Sequence, residues 1–209
     1  MRDAQLLHQW LSPGFPTGAF AWSHGLDRLI SDDVIYDAAG LQAWLEDVLR
    51  HGAGRADAIL LSHAYHADDV SEIAELAAAL APSRERYAET MDQGASFMRV
   101  TGALFGGRTD PLPYPVAVGY GAAREGIALD MTVVLYLQAF VANLVSAAVR
   151  AIPLGQTDGQ RIVMALLPLC ETVAQDAQDA GLDKIGTASI RADMASLQHE
   201  TQYSRMFRS

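Results

Sequence analysis

Between Asp130 and Arg150 the chain carries no charged side chain. A run of that kind, close to the ~20 residues that span a bilayer, has to be surrounded by something apolar: lipid or the rest of its own protein. Thr132, Gln138, Asn143 and Ser146 interrupt it, and no second such run is present to pair with it. The reading is therefore a central helix of a soluble core, without a membrane partner. A helix apolar on most sides is what the middle of an all-helical protein requires.

The remaining segments have the period needed to pack around it. Leu6, Leu7, Trp10 and Leu11 form a first stripe, stopped by Ser12-Pro13. The stretch Leu11 to Gly18 holds two prolines and two glycines and reads as a rigid loop. A second helix is predicted from about Gly18 to Ile30. Leu41, Trp44, Leu45, Val48 and Leu49 mark a third, punctuated by Gly52 and Gly54, and Ala56 to Tyr65 continues helically. Val70, Ile73, Ala77 and Leu80 follow, with Ser83 as the cap of the next helix. That helix carries Tyr87, Met91, Met98 and Phe105 and ends at Gly106-Gly107. Gly94 and Gly102 inside it each cost ~1 kcal/mol against alanine, so each admits a close neighbour or marks a bend. Pro115 opens a short helix through Ala123, and Asp130 is expected to cap the long uncharged helix. Thr157 or Asp158 is expected to cap a helix from Gly159 to Ala180, kinked at Pro168. Beyond Leu182 one stripe is left, Ile190, Met194 and Leu197. No segment alternates as a strand does. The fold class is all-α: a single-domain bundle of about eight to ten helices over residues 1–209, with a C-terminal tail of about 182–209 open to ordering on partner binding.

Composition bears mainly on what is excluded. The formal charge of −10 opposes phosphate backbones, so nucleic acid is not an expected partner. One cysteine, Cys170, forms no internal disulfide and no thiolate zinc site. The first ten residues lack a signal peptide's basic start and apolar stretch, which predicts a cytoplasmic setting. His63 and His66 stand at i, i+3 with Asp68 and Asp69 just beyond. They carry the alternative reading, a metal-dependent hydrolase, but lack the third ligand or HExxH spacing that such sites use. Ser23 and His24 are adjacent and cannot face each other as nucleophile and base on a helix; His24 is expected to be packed or capping. His199-Glu200 has no partner spaced for a dyad, and His8 and His51 point to no function. The glycine-rich loops match neither a phosphate-binding nor a dinucleotide-binding pattern. No catalytic, metal or cofactor residue is assigned, and no cofactor is expected.

Three places are written with more specificity than a generic bundle needs. They are the run Leu11-Ser-Pro-Gly-Phe-Pro-Thr-Gly-Ala-Phe-Ala-Trp-Ser-His-Gly-Leu26, the block Asn143 to Gln160 ending in PLGQTDGQ, and the basic, aromatic ending His199-Glu-Thr-Gln-Tyr-Ser-Arg-Met-Phe-Arg-Ser209. Together with Tyr114-Pro-Val-Ala-Val-Gly119 they resemble, in order along the chain, the signatures of the UreF-type urease accessory proteins. Trp22, Asp27 and Met206 stand where that family is expected to carry tyrosine, glutamate and leucine, and Gly186 to Met194 lacks an expected proline.

The resemblance implies an all-helical homodimer without catalytic residues of its own. It implies assembly with a UreD/UreH-type scaffold and a UreG-type GTPase on apo-urease, where GTP-dependent nickel delivery is regulated during maturation. The structural motif residues it marks are Ser12, Pro13, Pro16, Gly18, Phe20, Ser23 and Gly25, with Phe15, Phe20 and Trp22 expected to pack into the core, the favoured role, or to line a partner groove. The partner-binding residues it marks are Gln156, Thr157, Asp158, His199, Glu200, Tyr203, Arg205, Phe207 and Arg208. The tail is expected to dock, with one arginine, Arg205 by preference, bonding into the Pro153–Gln160 loop and Tyr203 and Phe207 burying against the core or the scaffold partner. Gly94 and Gly102 are expected to serve the close helix contact of the dimer.

Overall fold

A computed structural model describes all 209 residues, as ten α-helices, two short 3-10 turns and no strand. The helices are α1 (Arg2–Trp10), α2 (Leu26–Ser31), α3 (Ala38–His51), α4 (Ala53–His66), α5 (Ser71–Ala79), α6 (Arg84–Phe105), α7 (Tyr114–Glu125), α8 (Leu129–Ala151), α9 (Gln156–Gln178) and α10 (Ile190–His199). The all-helical expectation holds, and one continuous cluster of buried apolar side chains links α1 to the tail residue Phe207.

The centre of that cluster differs from the sequence expectation. It is the pair α4 and α7, where Ala58 to Ser62 and Pro115 to Gly119 are buried on every side. Small residues bring these backbones together: a Cβ on Gly119 would lie 2.3 Å from the Leu61 carbonyl oxygen. The uncharged helix α8 buries Val133, Leu137, Val141, Leu144 and Ala148, but Met131, Ala142 and Ser146 face outward. Lack of charge made α8 look like the central helix of the core. The small residues on its outer flank leave it half-covered.

Three local expectations are corrected. No helix runs from Gly18 to Ile30. A 3-10 turn at Ala19–Ala21 and a reversal at His24 and Gly25, with φ of 62° and 82°, precede α2. Gly25 is needed there because α10 passes so closely that a Cβ would meet the Ser196 nitrogen at 2.8 Å. Asp130 lies inside the first turn of α8, which is flanked by Ala128 without a side-chain cap. Likewise α9 starts at Gln156, so Thr157 and Asp158 sit within its first turn, where Asp158 pairs with Arg161 at 2.5 Å. The helix continues through Pro168 to Gln178. Pro168 and Met164 both lie on the exposed side, where water can satisfy the carbonyl that proline leaves free. Ser83 caps α6 as expected, accepting from the Arg86 N–H.

Gly94 and Gly102 admit a close neighbour, but it is not a second copy. A Cβ at Gly94 would lie 1.8 Å from the Leu112 carbonyl oxygen, and one at Gly102 would lie 2.5 Å from Thr109 Cγ2. The chain's own connector between α6 and α7 covers both positions.

Candidate functional site

The two ends of the chain are folded into one surface, and Asp27 holds them together. Its position in the first turn of α2 leaves its carboxylate pointing at the tail. Oδ2 accepts the backbone N–H of Met206 at 2.7 Å and of Phe207 at 3.1 Å, and faces His199 Nε2 at 3.3 Å. The other nitrogen of the fully buried His199 ring, Nδ1, meets Glu85 at 2.6 Å. His199 is thus wedged between two carboxylates from α2 and α6. It is neither solitary nor part of a dyad with a nucleophile.

Past this anchor the last residues run alongside Ala21 to His24. The Arg208 N–H donates to the Ala21 carbonyl at 2.8 Å and the Ser23 N–H to the Ser209 carbonyl at 3.1 Å. Ser23 Oγ also donates to Ser209 O, the His24 N–H donates to Ser209 Oγ at 3.1 Å, and Ser209 Oγ donates to Glu89 at 3.0 Å. Phe207 is buried, with the Arg150 guanidinium 4.6 Å over its ring. Arg208 stacks over Trp22 at 4.1 Å and reaches Asp92 at 3.1 Å. Arg150 also donates to the Phe20 carbonyl at 2.8 Å, and Asn143 to that of Ala19 at 3.1 Å.

The marked residues divide accordingly. Ser23, Gly25, His199, Phe207 and Arg208 come together here. Glu200 lies at the edge, bound by Arg84 through its backbone N–H at 2.7 Å and its Nε at 3.0 Å. Arg205 does not reach the Pro153–Gln160 loop, contrary to expectation. It bonds Glu85 at 2.7 Å, the Glu200 carbonyl at 2.7 Å and the Gln202 carbonyl at 2.9 Å. Gln156 and Thr157 stand exposed away from the tail, because Gly159 seats the start of α9 against Val145 and Val149. That signature block joins the surface through its other end, Asn143 and Arg150. Phe15 and Trp22 are core residues, whereas Phe20 is exposed; Tyr203 is fully exposed, so only Phe207 of the tail's two aromatics is buried.

Sequence reasoning missed Asp27 and the acidic face of α6. Glu85, Glu89 and Asp92 recur at i, i+4, i+7, the spacing of a single helix face. That acidic row was the available signal for where a basic tail would lie.

Below the surface is a charged layer. Burial pushes the Glu89 carboxyl up, but the guanidinium of Arg86, with which it pairs, pulls it further down, to about 2. Burial, reinforced by Arg86, lowers the His24 imidazole and favours its neutral form. Burial raises Asp57 to about 6, against the opposing pull of Arg86 and the hydroxyl of Tyr136, which donates to it at 2.8 Å. A carboxyl raised on folding contributes stability at low pH and loses it as pH climbs from about 4 to about 6. Asp57→Asn keeps an acceptor for Tyr136 and has no charge to bury. It is expected to raise stability at pH 7.5 by on the order of 1–3 kcal/mol and to be near neutral at pH 4, taking ~1.4 kcal/mol per unit and allowing for the side chain's partial exposure. Urea denaturation at the two pH values reads this directly; equal effects at both would show that Asp57 ionises freely.

His63 uses Nε2 on the Ala180 carbonyl at 2.9 Å, while His66 packs its ring on Tyr65. No group of three His, Cys, Asp or Glu side chains is assembled to hold a metal ion. The pair that carried the hydrolase alternative is therefore not part of a ligand set.

Fold and surface together define an all-α protein whose two signature-bearing ends are interlocked over the acidic face of α6. The sequence profile of the UreF family matches residues 35–167. The chain is 51% identical over 203 residues to a urease accessory protein UreF of Cereibacter sphaeroides, covering 97% of each chain. It is 51% identical over 205 residues to that of Roseobacter denitrificans, covering 97% of this chain and 92% of the relative. Against that of a Methylobacterium species it is 48% identical over 221 residues, covering 99% and 88%. The chain belongs to the UreF family of urease accessory proteins.

Proposed function

We propose that the protein is a non-catalytic, cytoplasmic adaptor in urease maturation. It joins a UreD/UreH-type scaffold to a UreG-type GTPase on apo-urease and regulates GTP-dependent nickel delivery. The observation that carries this reading is an apolar stripe left in water on a firmly seated element. Ile190, Met194 and Leu197 recur along one face of α10 and are 68%, 52% and 50% exposed, and the tail adds Tyr203 and Met206. The other face of α10 is locked to α2 and α6 through Gly25, His199 and the Ser83–Ser196 hydroxyl contact. Clustered exposed apolar side chains mark interaction surfaces, and aromatic, methionine and arginine side chains are the favoured anchors. In this reading the N-terminal motif residues hold the tail in place, and Arg205 and Arg208 order the segment that presents Tyr203 and Met206. Gln156, Thr157 and Asp158 form a separate exposed patch available to a second partner. The protein works as a homodimer through a surface other than Gly94 and Gly102.

Changing Met194 and Leu197 together to aspartate is expected to leave helicity by circular dichroism unchanged and to reduce co-purification with the scaffold protein at least ~tenfold, the equivalent of about 1.4 kcal/mol. Recovery at the wild-type level would remove α10 from the interface and this argument with it.

A further inference from the structure

A cavity of about 170 Å³ lies beneath the N-terminal signature loop, between it, α6 and α8. Cavities of that size in other proteins accept a molecule as large as benzene. This one has a polar floor. His24, Arg86 and Gln93 line it and are only 4%, 8% and 5% exposed. Both ring nitrogens of His24 and the Nε of Arg86 have no hydrogen-bond partner in the protein. A buried donor or acceptor left alone costs its full desolvation, so these atoms call for a ligand or ordered water inside the cavity. Tyr136 and Phe140 supply aromatic walls, with Phe140 5.1 Å from the His24 ring.

The charges on the floor select the ligand class. Arg86 is matched by Glu89, which lies 3.6 Å from His24 Nδ1, and Asp57 adds a further carboxyl. An anion entering would meet two carboxyls with no spare cation; an ammonium-type cation brings no acceptor for the unpartnered Arg86 Nε–H. An uncharged molecule meets neither penalty. It needs an acceptor for Arg86 Nε–H together with a donor for the unprotonated nitrogen of His24. A hydroxyl places both functions on one oxygen. A primary carboxamide separates them onto two atoms of a flat group, which suits two partners and aromatic walls. We propose that this cavity is a binding site for a small uncharged molecule of the primary carboxamide class. Its carbonyl oxygen accepts from Arg86 and its amide nitrogen donates to His24. Because Glu89 also accepts Ser209 Oγ at 3.0 Å, occupancy steadies the docked tail. The cavity lies apart from the α10 stripe proposed for the scaffold, and its lining includes none of Ile190, Met194 and Leu197.

The test uses the full chain and acetamide as probe, with acetate and methylammonium as charged probes of similar size, followed by saturation-transfer NMR. Acetamide is expected to bind saturably in the millimolar range, with each charged probe at least ~tenfold weaker. Ala139→Leu and Ala142→Leu, on the α8 wall, are expected to fill the space and abolish binding while keeping helical circular dichroism. Ala142 is exposed where the cavity opens to the surface, so the larger side chain covers the mouth without straining the core. Amide exchange at Arg208 and Ser209 should slow on adding acetamide to wild type and not to either variant. The proposal is overturned by no saturable acetamide signal, meaning a cavity filled by water alone. Equal binding of acetate, or binding unchanged in both folded variants, overturns it as well.

Discussion

Asp27→Ala is expected to release the C-terminal segment from the body of the protein. One carboxylate oxygen accepts two consecutive backbone N–H groups, from Met206 and Phe207, and faces His199. Alanine leaves all three without that partner. Each orphaned buried donor costs ~1–3 kcal/mol. The chain can escape most of this by letting residues 200–209 go into water, so the loss is expected to appear as local opening and not as global unfolding. Protection of the Phe207, Arg208 and Ser209 amides in hydrogen exchange should fall by ~100-fold or more, the equivalent of about 3 kcal/mol, while α4 and α7 keep theirs. Asp27→Asn retains an accepting oxygen and should lose much less. If Asp27→Ala leaves tail exchange as in wild type, the seam between Ala21–His24 and Phe207–Ser209 holds without its anchor.

The second large effect is expected at Gly94, where two local rules oppose each other. Alanine is favoured over glycine in a helix interior by ~1 kcal/mol, so propensity alone makes Gly94→Ala stabilising. The added Cβ, however, would lie 1.8 Å from the Leu112 carbonyl oxygen and 2.9 Å from backbone carbon atoms of Leu112 and Pro113. Backbone cannot swing aside as a side chain can, so the connector must shift and take Leu112, a buried core residue, with it. Overpacking of this kind costs ~3 kcal/mol or more, which outweighs the propensity gain. Urea denaturation should show the midpoint well below wild type. Gly186→Ala, in the exposed loop before α10 with nothing within 4 Å of the new Cβ, is the control for a glycine-to-alanine change without overpacking. A Gly94→Ala protein as stable as wild type would mean that the connector is loosely held.

Much of the fold was legible because helix formation is local. The stripe Leu41, Trp44, Leu45, Val48 and Leu49 appears as the buried face of α3, and Ser83 caps α6 through the Arg86 N–H. The helix expected over Gly18–Ile30 failed because its obstacle is not local. The reversal at His24 and Gly25 is imposed by α10, whose Ser196 lies 171 positions beyond Gly25 (196 − 25). The caps assigned to Asp130, Thr157 and Asp158 fell short because α8 and α9 begin earlier, after Ala128 and Gly155, which leaves these side chains inside the first turn.

For the site, the amino-acid sequence by itself determined the ingredients. Its motifs marked the N-terminal run, the Asn143–Gln160 block and the basic tail, and the chain's membership of the UreF family accords with that marking. Only the tertiary structure decided which partners these ingredients take. Arg205 finds Glu85 and not the Pro153–Gln160 loop, Phe207 goes inside while Tyr203 stays in water, and His199 sits between Asp27 and Glu85. The reason is physical. A periodic pattern fixes which face of a helix is apolar through neighbours three and four residues away. The partner of a charged or aromatic side chain depends on which distant backbone is brought within about 3 Å of it, and here close approaches at Gly25, Gly94 and Gly119 set that arrangement.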